Sequence, residues 1–127
     1  MYKDGKIYMG LASDGSRVHM QLNMSNRHGL IAGASGTGKT ITMKTMAESF
    51  SDAGVPVFLC DVKGDVSGLA MPGVSNSGME KRIDKFGIRD TFRFRGYPVT
   101  FWDVYQEMGL PLRATVSEVG PLLLSRI

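Results

Sequence analysis

Residues 31–40 read IAGASGTGKT, and the fold is decided here. Within this stretch Gly33-Ala34-Ser35-Gly36-Thr37-Gly38-Lys39-Thr40 fits G-x-x-x-x-G-K-[ST], the Walker A pattern. A phosphate chain has to lie against backbone N–H groups in such a loop. Glycines give the loop its conformational freedom and keep side chains out of the approach. A helix opening near Lys39 aims its N-terminal amides and positive dipole end at the anion. On this reading the Lys39 ammonium reaches the β- and γ-phosphates, and the Thr40 hydroxyl binds Mg2+. The expected nucleotide-binding set is Gly33, Ala34, Ser35, Gly36, Thr37, Gly38, Lys39, Thr40 and Ile41.

The flanking sequence supplies the context that this motif needs. HGLIAG is a short apolar run closed by Gly33, which predicts a buried strand at about 28–33. KTITMKTMAESFS predicts a helix over 39–51, ended by DAG with Gly54. VPVFLCDV predicts a second buried strand at about 56–62. Strand, helix and strand make a βαβ unit with a parallel pair and a right-handed crossover. Upstream, KIYMGL and RVHMQL flank Asp14-Gly15, a β-hairpin signal over residues 6–22. Downstream, KGDVSGLAMPGVSNSG reads as a loop with room for one helical turn. MEKRIDKFG reads as a short helix stopped by Gly87, TFRFRG and YPVTFWDV as strands, and TVSEVGPLLLSR as a helix. In that last helix Thr115 and Glu118 have capping-box spacing, and Gly120-Pro121 suits a first turn. The expected fold is α/β: a parallel sheet with flanking helices, preceded by a β-hairpin.

Hydrolysis of a γ-phosphate needs a carboxylate near the metal. Asp61 stands at the carboxyl end of the second predicted strand, the edge where open α/β sheets bind ligands. It is read as a catalytic and Mg2+-side carboxylate, in preference to a residue that caps the next turn. Asp65 is read the other way. DVKG, residues 61–64, also matches D-x-x-G of GTPases. Only 21 residues separate Lys39 from Asp61, which leaves no room for a switch segment, and no N-K-x-D follows. ATP is therefore the expected nucleotide.

Composition sets the outer bounds. The 127 residues suffice for one domain. Hydrophobic residues make up 43% and charged residues 21%, ordinary values for a globular chain. No apolar run approaches the ~20 residues of a membrane span, and MYKDGKIYMG lacks a signal-peptide core. The single cysteine, Cys60, rules out an internal disulfide framework and fits a reducing compartment. These readings place the protein in the cytoplasm, away from membranes. The net charge of +3 permits a nucleic-acid partner without demanding one. His19 and His28 lack partners at metal-ligand spacing.

NRHGLIAGASGTGKTITMKTMAESFSDAGVPVFLCDVKGDVSGLA, followed by PVTFWDVYQEMGLPLRATVSEVGPLLLSRI, resembles the bacterial HerA-like ATPases. These sit in the HerA/FtsK superfamily of RecA-like P-loop motors, and the helicase-type branch is the nearest in pattern. DVKGD with SGLA, and PVTFWDV with SEVGPLLLSR, are the specific parts of the resemblance. It runs from about Lys6 to Ile127. It implies a RecA-like P-loop core, ATP with Mg2+, ATP hydrolysis, an association with DNA as helicase or translocase, and a homo-oligomeric ring. No apolar strand ending in Asp-Glu, the Walker B pair, occurs in the chain. The expectation is a partial P-loop domain, with a hairpin at 1–24, a core at 25–127, and the Walker B strand, catalytic glutamate and arginine finger lying beyond it. A nucleotide-binding switch with little turnover and a P-loop kinase are the alternatives.

Residues 81–95 carry six basic residues (Lys81, Arg82, Lys85, Arg89, Arg93, Arg95) and two acids (Asp84, Asp90), so 6 − 2 = +4. In FRFR the period-2 alternation puts Arg93 and Arg95 on one face and Phe92 and Phe94 on the other. A solvated face over an apolar core is the preferred reading. Contact with the DNA phosphate backbone is the alternative.

Overall fold

A computed structural model describes residues 1–105 and 107–113. They fall into two units, Met1–Tyr97 and the described part of Pro98–Ile127. The first unit opens with a three-stranded antiparallel sheet: β1 (Tyr2–Lys3), β2 (Lys6–Leu11) and β3 (Arg17–Gln21), in that order. Asp4 and Gly5 join β1 to β2, with φ of 50° and 72°, while Lys3 pairs with Lys6. A tight two-residue hairpin needs positive φ at both positions, which Asp-Gly supplies. The pair β2–β3 is the hairpin expected from Asp14-Gly15. Its loop is closed by Ala12 N–H donating to Ser16 O at 2.9 Å and Gly15 N–H to Ala12 O at 3.0 Å. The Asp14 carboxylate accepts from Ser16 N–H at 2.9 Å. The register shifts between Tyr8, opposite His19, and Gly10, opposite Val18. Met9 is thus the extra residue of a bulge.

Helix α1 spans Lys39–Asp52, one residue longer than expected, and packs against β1 and β2. Its end follows from Gly54 at φ 77°. Gly54 N–H bonds to Ser51 O at 3.0 Å and Val55 N–H to Phe50 O at 2.9 Å, the paired closure of a left-handed glycine cap. Helix α2 spans Ser77–Lys85 and ends the same way, with Gly87 at φ 59° and Ile88 N–H on Ile83 O at 3.1 Å. Asn76 caps its start by accepting from Met79 N–H at 3.0 Å. A 3-10 turn at Ser67–Ala70 occupies the helical turn allowed for in SGLA. Ile7, Tyr8, Ala47, Ser49, Val66 and Ile83 are buried, so the core gathers around β2, α1, the 66–70 turn and α2.

The strands expected at about 28–33 and 56–62 are a correction. Among the described residues neither belongs to a sheet. Their apolar side chains stand in solvent: Leu30 is 90% exposed, Phe58 74% and Val62 99%. The βαβ unit and its parallel sheet are therefore not assembled, and the architecture is α/β in the coarser sense of a small antiparallel sheet with two helices. The physical reason is lateral support. Parallel strands persist where both faces are covered and further strands flank them, and two runs joined by one helix have neither. TFRFRG also forms no strand.

In the second unit β4 (Trp102–Asp103) pairs in parallel with β5 (Leu110–Pro111), so YPVTFWDV contributes a strand of two residues. The Asp103 carboxylate accepts from the amides of Tyr105, Glu107 and Met108 at 2.7–2.9 Å. The helix expected from TVSEVGPLLLSR falls outside the described residues. No helix among the described residues is long and apolar enough to cross a membrane.

Candidate nucleotide-binding site

The loop Gly33–Gly38 leads directly into α1, whose first residue is Lys39. Gly36 and Gly38 take φ of 79° and 96°, conformations that cost other residues strain. The backbone thus turns twice into the left-handed region immediately before the helix. The first-turn amides of a helix have no intrahelical acceptor, so Lys39, Thr40 and Ile41 present donors at this end. No acidic side chain stands in the first turn of α1, and the loop from Gly33 to Thr37 is exposed. Thr42 returns to the loop, donating through N–H at 2.9 Å and through Oγ1 at 3.2 Å to Gly38 O.

Lys39 folds back over the loop. Its Nζ donates to Gly33 O at 2.9 Å and to Ala34 O at 2.7 Å. Thr37 Oγ1 donates to Ala34 O as well, at 2.8 Å. With two of its three protons on these carbonyls, the ammonium keeps one for an anion at the loop. The residues from Gly33 to Ile41 are thus contiguous around one turn, with the Lys39 ammonium resting on its carbonyls. These residues fit a nucleotide phosphate with Mg2+, which Thr40 would help to hold. The hydroxyl of Thr37 facing Ala34 was not singled out from the sequence. The signal available was the habit of Ser and Thr of bonding to backbone carbonyls three or four residues earlier.

Asp61 is engaged elsewhere. Its Oδ2 accepts from Val66 N–H at 2.9 Å, and its Oδ1 from Gly64 N–H at 2.9 Å and Lys63 N–H at 3.2 Å. These bonds, Val66 first, hold its carboxyl below the ordinary carboxylate range. A carboxylate used this way organises the 61–66 turn, the capping role weighed against catalysis above. Cys60 beside it is exposed.

The basic segment keeps its expected alternation without a strand, because Phe92 and Phe94 are half-buried while Arg93 and Arg95 are exposed. The two rings meet edge to face at 5.0 Å. Arg89 pairs with Asp84 at 2.7 Å and Glu80 at 3.0 Å. Arg93 donates to the carbonyls of Arg89 and Phe92. Arg95 pairs with Asp52 and lies 4.7 Å over the Tyr97 ring. Lys85 in turn lies 5.8 Å over the Phe86 ring, so four of the six cations engage groups of this chain.

A family model described as helicase HerA-like C-terminal matches residues 7–127. Comparison with curated proteins and with solved structures finds no match.

Proposed function

Since the chain belongs to the helicase HerA-like C-terminal family, we propose that its Gly33–Thr40 loop binds ATP with Mg2+ as part of a HerA/FtsK-type motor. The observation that carries this is the Lys39 ammonium, held over the carbonyls of Gly33 and Ala34 at the opening of α1. A phosphate entering the loop meets this cation, the left-handed turns at Gly36 and Gly38, and the amides of the first helical turn. Mg2+, which Thr40 would help to hold, would supply charge neutralisation at the phosphates. The chain's own contribution is to bind, through backbone donors, and to orient, through Lys39 and Thr40. ATP hydrolysis, work on DNA and ring assembly are proposals that draw on the family.

One observation favours a second reading. The three amides on Asp61 leave its carboxylate committed to a turn, as suits a nucleotide-responsive switch with little turnover. Measuring ATP turnover and nucleotide binding by the full-length protein, with and without DNA, separates the two. A motor hydrolyses ATP and is stimulated by DNA, whereas a switch binds without sustained turnover. Mg·ATP and Mg·ADP that both leave the melting temperature unmoved at millimolar concentration would sink the nucleotide reading itself. With binding, ligand at ~100 times Kd stabilises the fold by about 2.7 kcal/mol, and Lys39→Ala abolishes the shift.

A further inference from the structure

We propose that the first unit carries a second binding site, away from the Gly33–Thr40 loop, for a small amphiphile with an aliphatic body and a carboxylate head. The site is a cavity of about 420 Å³, within the range of about 300–1,000 Å³ that small-molecule sites occupy. Strand β2, helix α1, the 68–73 segment, α2 and residues 86–95 all contribute to its wall, and none of residues 33–40 does. The wall is largely apolar, with the half-buried side chains of Met9, Met46, Met79, Phe86, Phe92 and Phe94 along it. Unbranched thioethers adapt to the shape of a guest. Strand β2 meets the cavity irregularly. Tyr8, Met9 and Gly10 are consecutive, yet all three line it. A regular strand sends neighbouring side chains to opposite faces, and the bulge at Met9 lifts that limit.

Charge decides what kind of guest fits. Lys44, Arg82, Arg93 and Arg95 line this cavity against one acid, Glu48, so 4 − 1 = +3. Arg95 is taken by Asp52, and Arg93 bonds to two carbonyls. Among the described residues the side chains of Lys44 and Arg82 make no hydrogen bond or ion pair. The arginines are exposed and Lys44 is half-buried, so the positive charge gathers toward solvent and the apolar wall lies deeper. An aliphatic body gains by leaving water for that wall, while an anionic head stays hydrated beside Lys44 and Arg82. A cationic head would meet the same charges as repulsion.

The test is calorimetric titration of the full-length protein with decanoate below its micelle concentration, with the ligand-free melting temperature as control. One molecule is expected to bind per chain. Octanoate, two methylenes shorter, is expected to bind about tenfold more weakly, and decyltrimethylammonium, with the same body and the opposite charge, not to bind. The double variant Lys44→Gln, Arg82→Gln is expected to bind decanoate about tenfold more weakly. Its charge-keeping counterpart, Lys44→Arg with Arg82→Lys, is expected to bind as the wild type does, with melting temperatures alike throughout. Lys39→Ala is expected to leave decanoate binding unchanged, which separates this site from the nucleotide reading. A wild type that binds no decanoate overturns the site. So do several molecules per chain, the mark of adsorption on exposed apolar residues such as Leu30 and Phe58. Equal binding of decyltrimethylammonium, unchanged affinity in the Gln double variant, a loss that the charge-keeping variant shares, or a loss in Lys39→Ala overturns it as well.

Discussion

Arg17 Nη2 donates to the Gly87 carbonyl at 2.6 Å, across 70 residues of sequence. One residue earlier Tyr8 OH donates to Phe86 O at 3.2 Å. Both bonds hold the C-terminal end of α2 to the hairpin, where a cation also suits the negative end of the helix dipole. Arg17→Ala is expected to lower stability by about 1 kcal/mol. Combining it with Tyr8→Phe should give a loss different from the sum of the two, because the partners share one cap. Denaturant unfolding of the two single variants and the double variant measures this. Strict additivity would mean that the contacts act independently.

Core and surface around α2 should separate cleanly. Ile83 is buried, so Ile83→Ala is expected to cost about 2–5 kcal/mol. Arg89, on the same segment, forms two exposed ion pairs, and Arg89→Ala is expected to cost no more than about 1 kcal/mol. Comparable losses from the two would show that the Glu80–Asp84–Arg89 cluster, and not burial, holds this helix.

Glu48 on α1 is half-buried, and burial pushes its carboxyl above the ordinary range, against the pull of the Met1 amine, Arg95 and Lys44. A raised folded value favours the protonated form, so this contribution to stability is present at low pH and is lost as pH rises through the folded pKa. Glu48→Gln is therefore expected to stabilise slightly at pH 7, by up to about 0.5 kcal/mol, and to give no gain below the normal glutamate range. Melting curves from pH 3 to 8 check the sign. A variant less stable than wild type at pH 7 would show that the neighbouring cations outweigh burial.

Asp61 works in the opposite direction. Backbone amides depress its carboxyl, so its support of the 61–66 turn is present above the ordinary Asp range and is lost as pH falls through the lower folded value. Amide hydrogen exchange reports this at one site. Val66 N–H, bonded to Oδ2, is expected to exchange faster in Asp61→Ala at neutral pH. Protection unchanged in that variant would remove the capping role.

The DNA alternative for residues 81–95 carries its own signature. Arg93→Ala is expected to lower the slope of log K against log salt by roughly one unit, if that residue neutralises a phosphate. An unchanged slope returns Arg93 to its structural bonds with the Arg89 and Phe92 carbonyls.

Local signals carried the parts of the fold that local chemistry controls. Asp14-Gly15, Gly54 and Gly87 marked a turn and two helix ends, because positive φ is a property of single residues. The same rule applies at Asp4-Gly5, where β1 turns into β2. The predicted hairpin began at Lys6 and so missed this turn. Apolar runs did not fix the strands at 28–33 and 56–62. Such a run states that burial is favourable and leaves open which neighbour provides it. At the Gly33–Thr40 loop, spacing marked the glycine turns and the helix start that follows them. It could not show that Lys39 rests on two carbonyls, or that Asp61 is claimed by a turn, since both depend on side-chain direction.

Helix α1 joins the Gly33–Gly38 loop to the ion pair of Asp52 with Arg95. Its 14 residues at 1.5 Å each make a rod about 21 Å long. A rod of that length acts as a lever. Tilting it by about 5° from the loop end carries the Asp52 end about 2 Å, enough to strain or release an ion pair. The Asp52–Arg95 pair therefore anchors the end of the rod that lies farthest from the glycine turns.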